Sequence, residues 1–460
     1  MTGQELLPRL GAAKIVTELY GADAEVACSR YRALIEGLLE FPEKPATGSV
    51  WAASDFVVRE YPETRGDVRL FSAPGRTELG GNHTDHNNGK VLAASVQLDA
   101  AAAVSKRADS LVVFRSTGYP DVVVNLAHPD GSPNFEADPA ERGTTEALIR
   151  GIAAQFAARG IKPGGFTASA DTTVFPGSGL SSSAAVEVLI AKIFDSFYGN
   201  GARSAPELAK MGWKAENLWF GKPCGLMDQL ASASGGVIAI DFEDPENPLV
   251  TPLKFDPESL GFVIAAVRTG GSHADLTDDY AAIPREMKAV AKALGKETLR
   301  ECSRSEVLER AAELRAKIGD RPILRALHYF SENIRVDDMK NALEKTNDLY
   351  DFEERRSALG RYLGLVGESG KSSAELLQNI WTPHNTAGQG IALALAMSHN
   401  FLGHNGASRV HGGGFAGTIQ AYMSRNYFEG YRKEMEAVFG PGTVIALTVR
   451  QKGVTELLLE

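Results

Sequence analysis

The sequence is poor in cysteine. Three residues, Cys28, Cys224 and Cys302, are spread over 460 positions. That number and spacing exclude a disulfide framework and a cysteine-based zinc site, and suit a reducing compartment. Basic clusters are missing as well. Lys and Arg number 48 against 58 Asp and Glu, a net charge of −10, and no block of Lys/Arg stands out. Nucleic acid and anionic membranes both call for a concentrated basic surface, so neither is expected as a partner. Long apolar runs are lacking too: residues 91–104 and 262–267 are the most extended, and both fall short of a bilayer span. The opening MTGQELLPRLGAAK contains no apolar signal core. These absences describe a soluble, acidic, intracellular globular protein, expected in the cytoplasm as a monomer or weak homo-oligomer.

What is present points to a mixed fold. With 43% hydrophobic residues over this length, more than one core is expected, since single cores rarely grow past about 250–300 residues. Short β-branched runs at 68–71, 111–115, 121–126 and 165–170 predict strands, as does 91–104. Apolar residues at helical spacing predict helices over 12–20, 26–39, 146–158 and 184–198, the last closed by Gly199. The second half repeats the mixture, with strands expected at 237–241, 262–267, 420–423 and 444–449 and helices at 283–295, 305–317, 338–358, 372–379 and 386–402. Regular βαβα alternation is lacking, so the class is α+β. The predicted organisation is an N-terminal extension over 1–66 and two domains over 67–245 and 246–460, joined near the Pro- and acid-rich stretch 241–252.

The most informative segment is Pro176-Gly177-Ser178-Gly179-Leu180-Ser181-Ser182-Ser183-Ala184-Ala185, a glycine-rich turn running into the helix predicted over 184–198. Glycines permit close backbone approach, and the free N–H groups and dipole of a helix start favour an anion such as a polyphosphate. Serine hydroxyls add hydrogen bonds or ligate a hard cation. Serines after a glycine turn also serve as ordinary caps, and the segment has no Lys of a P-loop. On its own it supports anion binding only.

Three further segments sharpen it: Pro74-Gly75-Arg76-Thr77-Glu78-Leu79-Gly80-Gly81-Asn82-His83-Thr84-Asp85-His86, Cys224-Gly225-Leu226-Met227-Asp228-Gln229, and Gly412-Gly413-Gly414-Phe415-Ala416-Gly417-Thr418. In chain order the four resemble the signatures of the GHMP kinases, and residues 74–86 and 224–229 are closest to the galactokinase branch. The resemblance spans residues 74–418. It implies the GHMP kinase fold, two α+β domains with the active site in the cleft between them, with ATP as co-substrate and Mg²⁺ as cofactor. It implies phosphoryl transfer to a sugar anomeric hydroxyl, galactose first, with a C-6-modified hexose such as galacturonate as the alternative. A non-catalytic sugar sensor of the same fold is the alternative of another class.

The resemblance also assigns roles. Asp228 takes the acceptor proton or orients the hydroxyl, with Arg76 contacting both Asp228 and the transferred phosphate. Gly177, Ser178, Gly179, Leu180, Ser181, Ser182, Ser183 and Ala184 hold the phosphates, and Ser183 with Glu216 holds Mg²⁺. Asn82, His83, Asp85, Gly225 and Tyr280 face the sugar. Two departures stand out. Asn82 replaces the family's Glu, which binds the C-6 hydroxyl, so the choice of sugar is expected to turn on this position. Ser272-His273 replaces an Arg/Lys-His pair, removing a basic contact to phosphate.

Overall fold

The computed structural model describes residues 2–40, 67–175, 179–271, 276–348, 351–415 and 417–459. Its strands, in chain order, are β1 Val68–Gly80, β2 Lys90–Lys106, β3 Leu111–Ser116, β4 Val122–Asn125, β5 Phe166–Thr172, β6 Val237–Asp241, β7 Leu249–Leu253, β8 Phe262–Arg268, β9 Gly406–Val410, β10 Thr418–Ser424, β11 Val444–Leu447 and β12 Thr455–Leu457. Eight form one sheet, ordered β12-β1-β2-β5-β3-β4, with β6 on the far half of β2 and β7 beside β6. The other four form a second sheet, β11-β8-β10-β9. The first sheet is not confined to residues 67–245, because β7 and β12 return to it from later in the chain.

Strand β2 shows why the long run 91–104 is apolar without alternation. Ala100, Ala102 and Val104 pack on one face of the sheet with Phe71 and Phe166, under the helices Thr145–Ala157 and Ser182–Tyr198. Ala101 and Ala103 point the other way and are buried with Leu70 and Val113. A strand covered on both faces has no solvent side to mark with polar residues. The second cover comes from the N-terminal extension, whose helices Lys14–Tyr20 and Ala24–Leu39 lay Val16, Leu19, Tyr31, Leu34, Ile35 and Leu38 on the sheet.

A buried polar cluster pins this cover. Arg30 Nε donates to Asp171 Oδ2 at 2.9 Å and a second guanidinium nitrogen to the Asp171 carbonyl at 2.8 Å, while Nη1 reaches Asp99 Oδ1. Arg450 and Tyr20 also donate to the fully buried Asp99. Burial pushes the Asp99 carboxyl up, but Arg30 and Arg450 outweigh it, and it titrates below the ordinary range. Its contribution to stability is therefore present above the unfolded carboxylate pKa and is lost as pH falls through the depressed folded value. Arg30→Met is expected to lower the unfolding free energy by about 2 kcal/mol, the scale of hydrogen bonds to charged groups, as read from urea melts at neutral pH.

In the second sheet, Ala265, Val267, Ile419, Ala421 and Met423 pack against the helix Gly390–Leu402 and Tyr431 and Met435 of Arg425–Phe439. Ile264, Ala266 and Tyr422 face the long helices Asp320–Asp348 and Phe352–Ser372. The two sheets meet where β1, the helix starts at Ser182 and Met227, and the turn between β9 and β10 converge. Among the described residues no helix is long and apolar enough to cross a membrane.

Candidate active site

That convergence forms a cleft of about 600 Å³. Its centre is Arg76, near the end of β1, where the pairing with β2 shifts register between Pro74 and Arg76 and again between Glu78 and Gly80. Such irregularities re-aim side chains at a strand end. Gly75 lets β1 touch the loop before the helix Ser182–Tyr198: a Cβ there would stand 2.9 Å from the Leu180 carbonyl oxygen, which accepts the Arg76 N–H at 3.0 Å. Arg76 then grips Asp228 with two parallel bonds, Nε to Oδ1 at 2.7 Å and Nη2 to Oδ2 at 2.8 Å. Its remaining nitrogen donates to the Gly179 carbonyl, and Ser181 Oγ donates to Asp228 Oδ2.

One guanidinium thus ties the glycine-rich turn to the start of the helix Met227–Ser234, on which Asp228 is the second residue. Burial pushes the Asp228 carboxyl up, but Arg76, Ser181 and Lys222 together pull it below the ordinary carboxylate range. It is an anion at neutral pH. Ser182 and Ser183, in the first turn of Ser182–Tyr198, line the cleft beside it, and Ser181 holds a left-handed conformation (φ 57°) at the cap. Leu180 and Ala184 are buried beneath. Gly177 and Ser178 lie outside the described residues.

Glu216 is not itself a lining residue but lies buried behind Lys222 and Cys224, which line the cleft. The helix Ala205–Ala215 continues into a single π-turn, Glu216–Phe220, ended by Gly221. Glu216 is 3% exposed. Its Oε1 accepts from Lys222 Nζ at 3.0 Å, and its Oε2 from Cys224 Sγ at 2.8 Å and Gln229 Nε2 at 2.9 Å. Gln229 Nε2 also donates to the buried Glu187, 2.9 Å away. Burial, then the charge of Glu216, pushes the Glu187 carboxyl well above the ordinary carboxylate range. The Glu216 carboxylate already holds a cationic ammonium, and the serine hydroxyls lining the cleft are oxygen donors too, groups of the kind that suit a small hard cation. No cluster of three His, Cys, Asp or Glu forms a ready cage among the described residues. A cation here would complete its shell from substrate phosphates and water.

At the other end, Asp85 sits in the single turn Asp85–Asn87, directly over Gly225, where a Cβ would fall 1.8 Å from Asp85 Oδ2. Only glycine allows that approach. His83, Tyr280 and the turn after β9 close this end. His83 Nε2 bonds the Gly413 carbonyl at 3.0 Å, and Tyr280 Oη donates to the Gly414 carbonyl at 3.0 Å. Burial and the neighbouring His86 hold the His83 imidazole down to about 3, so it is neutral. With a carbonyl as partner, Nε2 must carry the proton.

Asn82 does not stand among these lining residues. It is fully buried, and its amide is spent. Nδ2 donates to the Gly412 carbonyl at 2.7 Å and to the Glu78 carboxylate at 3.1 Å, and Oδ1 accepts from Asn379 Nδ2 at 2.8 Å. The carboxylate at the cleft wall is Glu78, which also receives Arg409. Burial pushes the Glu78 carboxyl up to about 7, against the pull of Arg409 and Arg76. The structure therefore brings together Arg76, Asp228, Ser181–Ser183, His83, Asp85, Gly225 and Tyr280, and withdraws Asn82 behind Glu78. Sequence reasoning passed over Glu78 and Lys222. Both stood inside or beside recognised segments, and a charged residue next to such a segment was the available signal.

The chain is similar to known proteins in sequence and in fold. The family model "GHMP kinases N terminal domain" matches residues 147–236, and "Galactokinase galactose-binding signature" matches residues 59–106. A galactokinase from Glaesserella parasuis is 31% identical over 366 residues, 78% of this chain and 86% of the relative. One from Actinobacillus pleuropneumoniae is 32% identical over 372 residues, again 78% and 86%. Among solved structures, Lactococcus lactis galactokinase complexed with galactose superposes with a TM-score of 0.69 at 22% identity, over 85% of this chain and 96% of that one. Methanococcus jannaschii mevalonate kinase gives 0.57 at 15% identity, over 84% and 99%. These likenesses at low identity establish the fold.

Proposed function

The chain belongs to the galactokinases, within the GHMP kinase family, and from that membership we infer that it transfers the γ-phosphoryl group of ATP to the C-1 hydroxyl of D-galactose. The single observation that carries the assignment of roles is the contact of Arg76 with both Asp228 and the Gly179 carbonyl. It fixes the proton-accepting group and the phosphate turn to one rigid fork.

Phosphoryl transfer depends on positioning and charge neutralisation more than on covalent chemistry. Asp228 receives the proton of the C-1 hydroxyl as the sugar oxygen bonds to the γ-phosphorus and the bond from that phosphorus to the β–γ bridging oxygen breaks, releasing ADP. Arg76 keeps Asp228 ionised and faces the charge that spreads over the phosphoryl oxygens. Ser181–Ser183 and the N–H groups at the start of Ser182–Tyr198 hold the phosphates. Ser183 and Glu216 would hold Mg²⁺, which neutralises phosphate charge when bound. Asp85, with two acceptor oxygens beside the Gly225 backbone, grips adjacent sugar hydroxyls, and His83 and Tyr280 fix the wall behind them.

The buried carboxyl of Glu78 bears on the C-6 substituent. A uronate at the sugar end would meet a second acid there, whereas a hydroxymethyl group would not, which favours galactose over galacturonate. The test is ADP release with ATP and a panel of hexoses, with the product position read by ³¹P NMR. Turnover on D-galactose with a 1-phosphate product is expected, and kcat/KM on galacturonate about 100-fold lower or less, a difference of about 3 kcal/mol from one unfavourable charge contact. Absence of ADP release across the panel would refute the kinase assignment.

A further inference from the structure

All three Arg76 nitrogens already donate, two to Asp228 and one to the Gly179 carbonyl, so the guanidinium is held in place and cannot follow the charge of an arriving γ-phosphoryl group as it moves. The second full-time cation among the described cleft residues is Lys222, and it is placed differently. It lies just past the π-turn, where Gly221 adopts φ 82° and both Gly221 and Lys222 N–H groups return to the Glu216 carbonyl, at 2.9 and 3.1 Å. The backbone is thus held while the side chain, 60% exposed, lines the cleft and turns its ammonium to the buried Glu216. Its ammonium has one carboxylate partner, Glu216 Oε1 at 3.0 Å. The other Glu216 oxygen is held from behind by Gln229 and Cys224, so the carboxylate keeps its orientation whether or not Lys222 stays. A long flexible stem carrying a point charge can move between two anions with little change in the surrounding packing.

We propose that Lys222 is a catalytic residue with two positions: on Glu216 in the empty cleft, and on the transferred phosphoryl group once ATP occupies the Ser181–Ser183 turn. The exchange trades one charge-assisted hydrogen bond for another, so it is nearly balanced until charge builds on the phosphoryl oxygens, which then favours the second position. Departure of the ammonium also opens Glu216 Oε1, the oxygen that would hold Mg²⁺. The proposal rests on the kinase assignment above.

The test compares wild type with Lys222→Met, which keeps the stem and removes the charge, and with Lys222→Arg. Lys222→Met is expected to lower kcat about 100-fold, the scale of losing one preorganised donor, with KM for the sugar within about threefold of wild type. A second measurement needs no turnover. Calorimetric affinities for a non-hydrolysable ATP analogue and for ADP, both with Mg²⁺, should show the analogue weakened about tenfold and ADP unchanged, because ADP lacks the γ-phosphoryl group. Without nucleotide, Mn²⁺ should bind Lys222→Met more tightly than wild type, since no ammonium competes for Glu216. Lys222→Arg should recover most of the lost kcat. A Lys222→Met protein with wild-type kcat and an unchanged ratio of analogue to ADP affinity overturns the proposal. If wild type releases no ADP with any hexose, the kinase assignment fails, and the affinity ratio alone then decides whether Lys222 meets a γ-phosphoryl group.

Discussion

Asp228→Asn is expected to lower kcat on galactose by about 10³-fold while leaving the fold and the sugar KM nearly intact, because removing a positioned base costs roughly 10²–10⁴. The substitution is close to isosteric, so its effect is chemical. Asn keeps one acceptor oxygen for Arg76 but turns an NH₂ group toward one of the two guanidinium donors in either orientation, and toward Ser181 as well where it replaces Oδ2. One of those donors loses its partner, and no group at that position can take the hydroxyl proton. The sugar KM should hold, since Asp85, His83 and Tyr280 lie on other segments. Burial opposes ionisation of Asp228, but Arg76 and Ser181 outweigh it and lower its pKa. In wild type, kcat should therefore stay flat from neutrality down through the ordinary carboxylate range near about 4, and fall only below it. Initial rates across pH, with circular dichroism to verify the fold, provide the measurement. A variant retaining kcat within about tenfold of wild type would reassign Asp228 to holding Arg76 in place.

The residues in that prediction were legible before any coordinates, and the reasons are local. Gly177–Ser183 running into an apolar-periodic helix marks a helix start, and the structure begins that helix at Ser182. The strands were legible wherever β-branched residues cluster. The β-branched run at 68–71 marks only the first part of β1, which continues through Pro74-Gly75 to Gly80 with two register shifts. The helix Asp320–Asp348 was read only from 338, since its first half buries Arg325, His328 and Glu332, polar residues that conceal the apolar stripe. Their burial depends on partners far away: His328 Nε2 bonds the Asn82 carbonyl, and Ser369 donates to Glu332. Contacts of that kind carry no signature in the sequence. The role of the extension was hidden for the same reason, because its docking on the sheet rests on Asp99, Asp171 and Arg450.

Position 82 shows what such contacts change. From the sequence, Asn82→Glu looks like an exchange of sugar preference. In the structure it is a stability mutation. Asn82 Nδ2 donates to Glu78 and to the Gly412 carbonyl, so a carboxylate in its place would set acceptor against acceptor at both contacts. Arg409, already on Glu78, would be the nearest cation to offset two carboxylates. Uncompensated buried charge costs about 3–5 kcal/mol, so Asn82→Glu should lose about 4 kcal/mol of unfolding free energy at pH 8. The loss should shrink on acidification. Glu78 already titrates near about 7 through burial, and a second carboxylate raises the pair further. A raised folded pKa means the folded state binds the extra proton, so the variant regains stability as pH falls through that folded value toward the unfolded carboxylate range. Asn82→Gln, with similar bulk and no charge, should lose less, which separates size from charge. Adding Glu78→Gln to Asn82→Glu removes one of the facing acids and should recover about 2 kcal/mol, an interaction energy that a double-mutant cycle in urea isolates. An Asn82→Glu protein as stable as wild type across pH 6 to 8, about two units spanning the Glu78 titration, would mean that residue 82 turns out into the cleft, and the choice of sugar would return to that side chain.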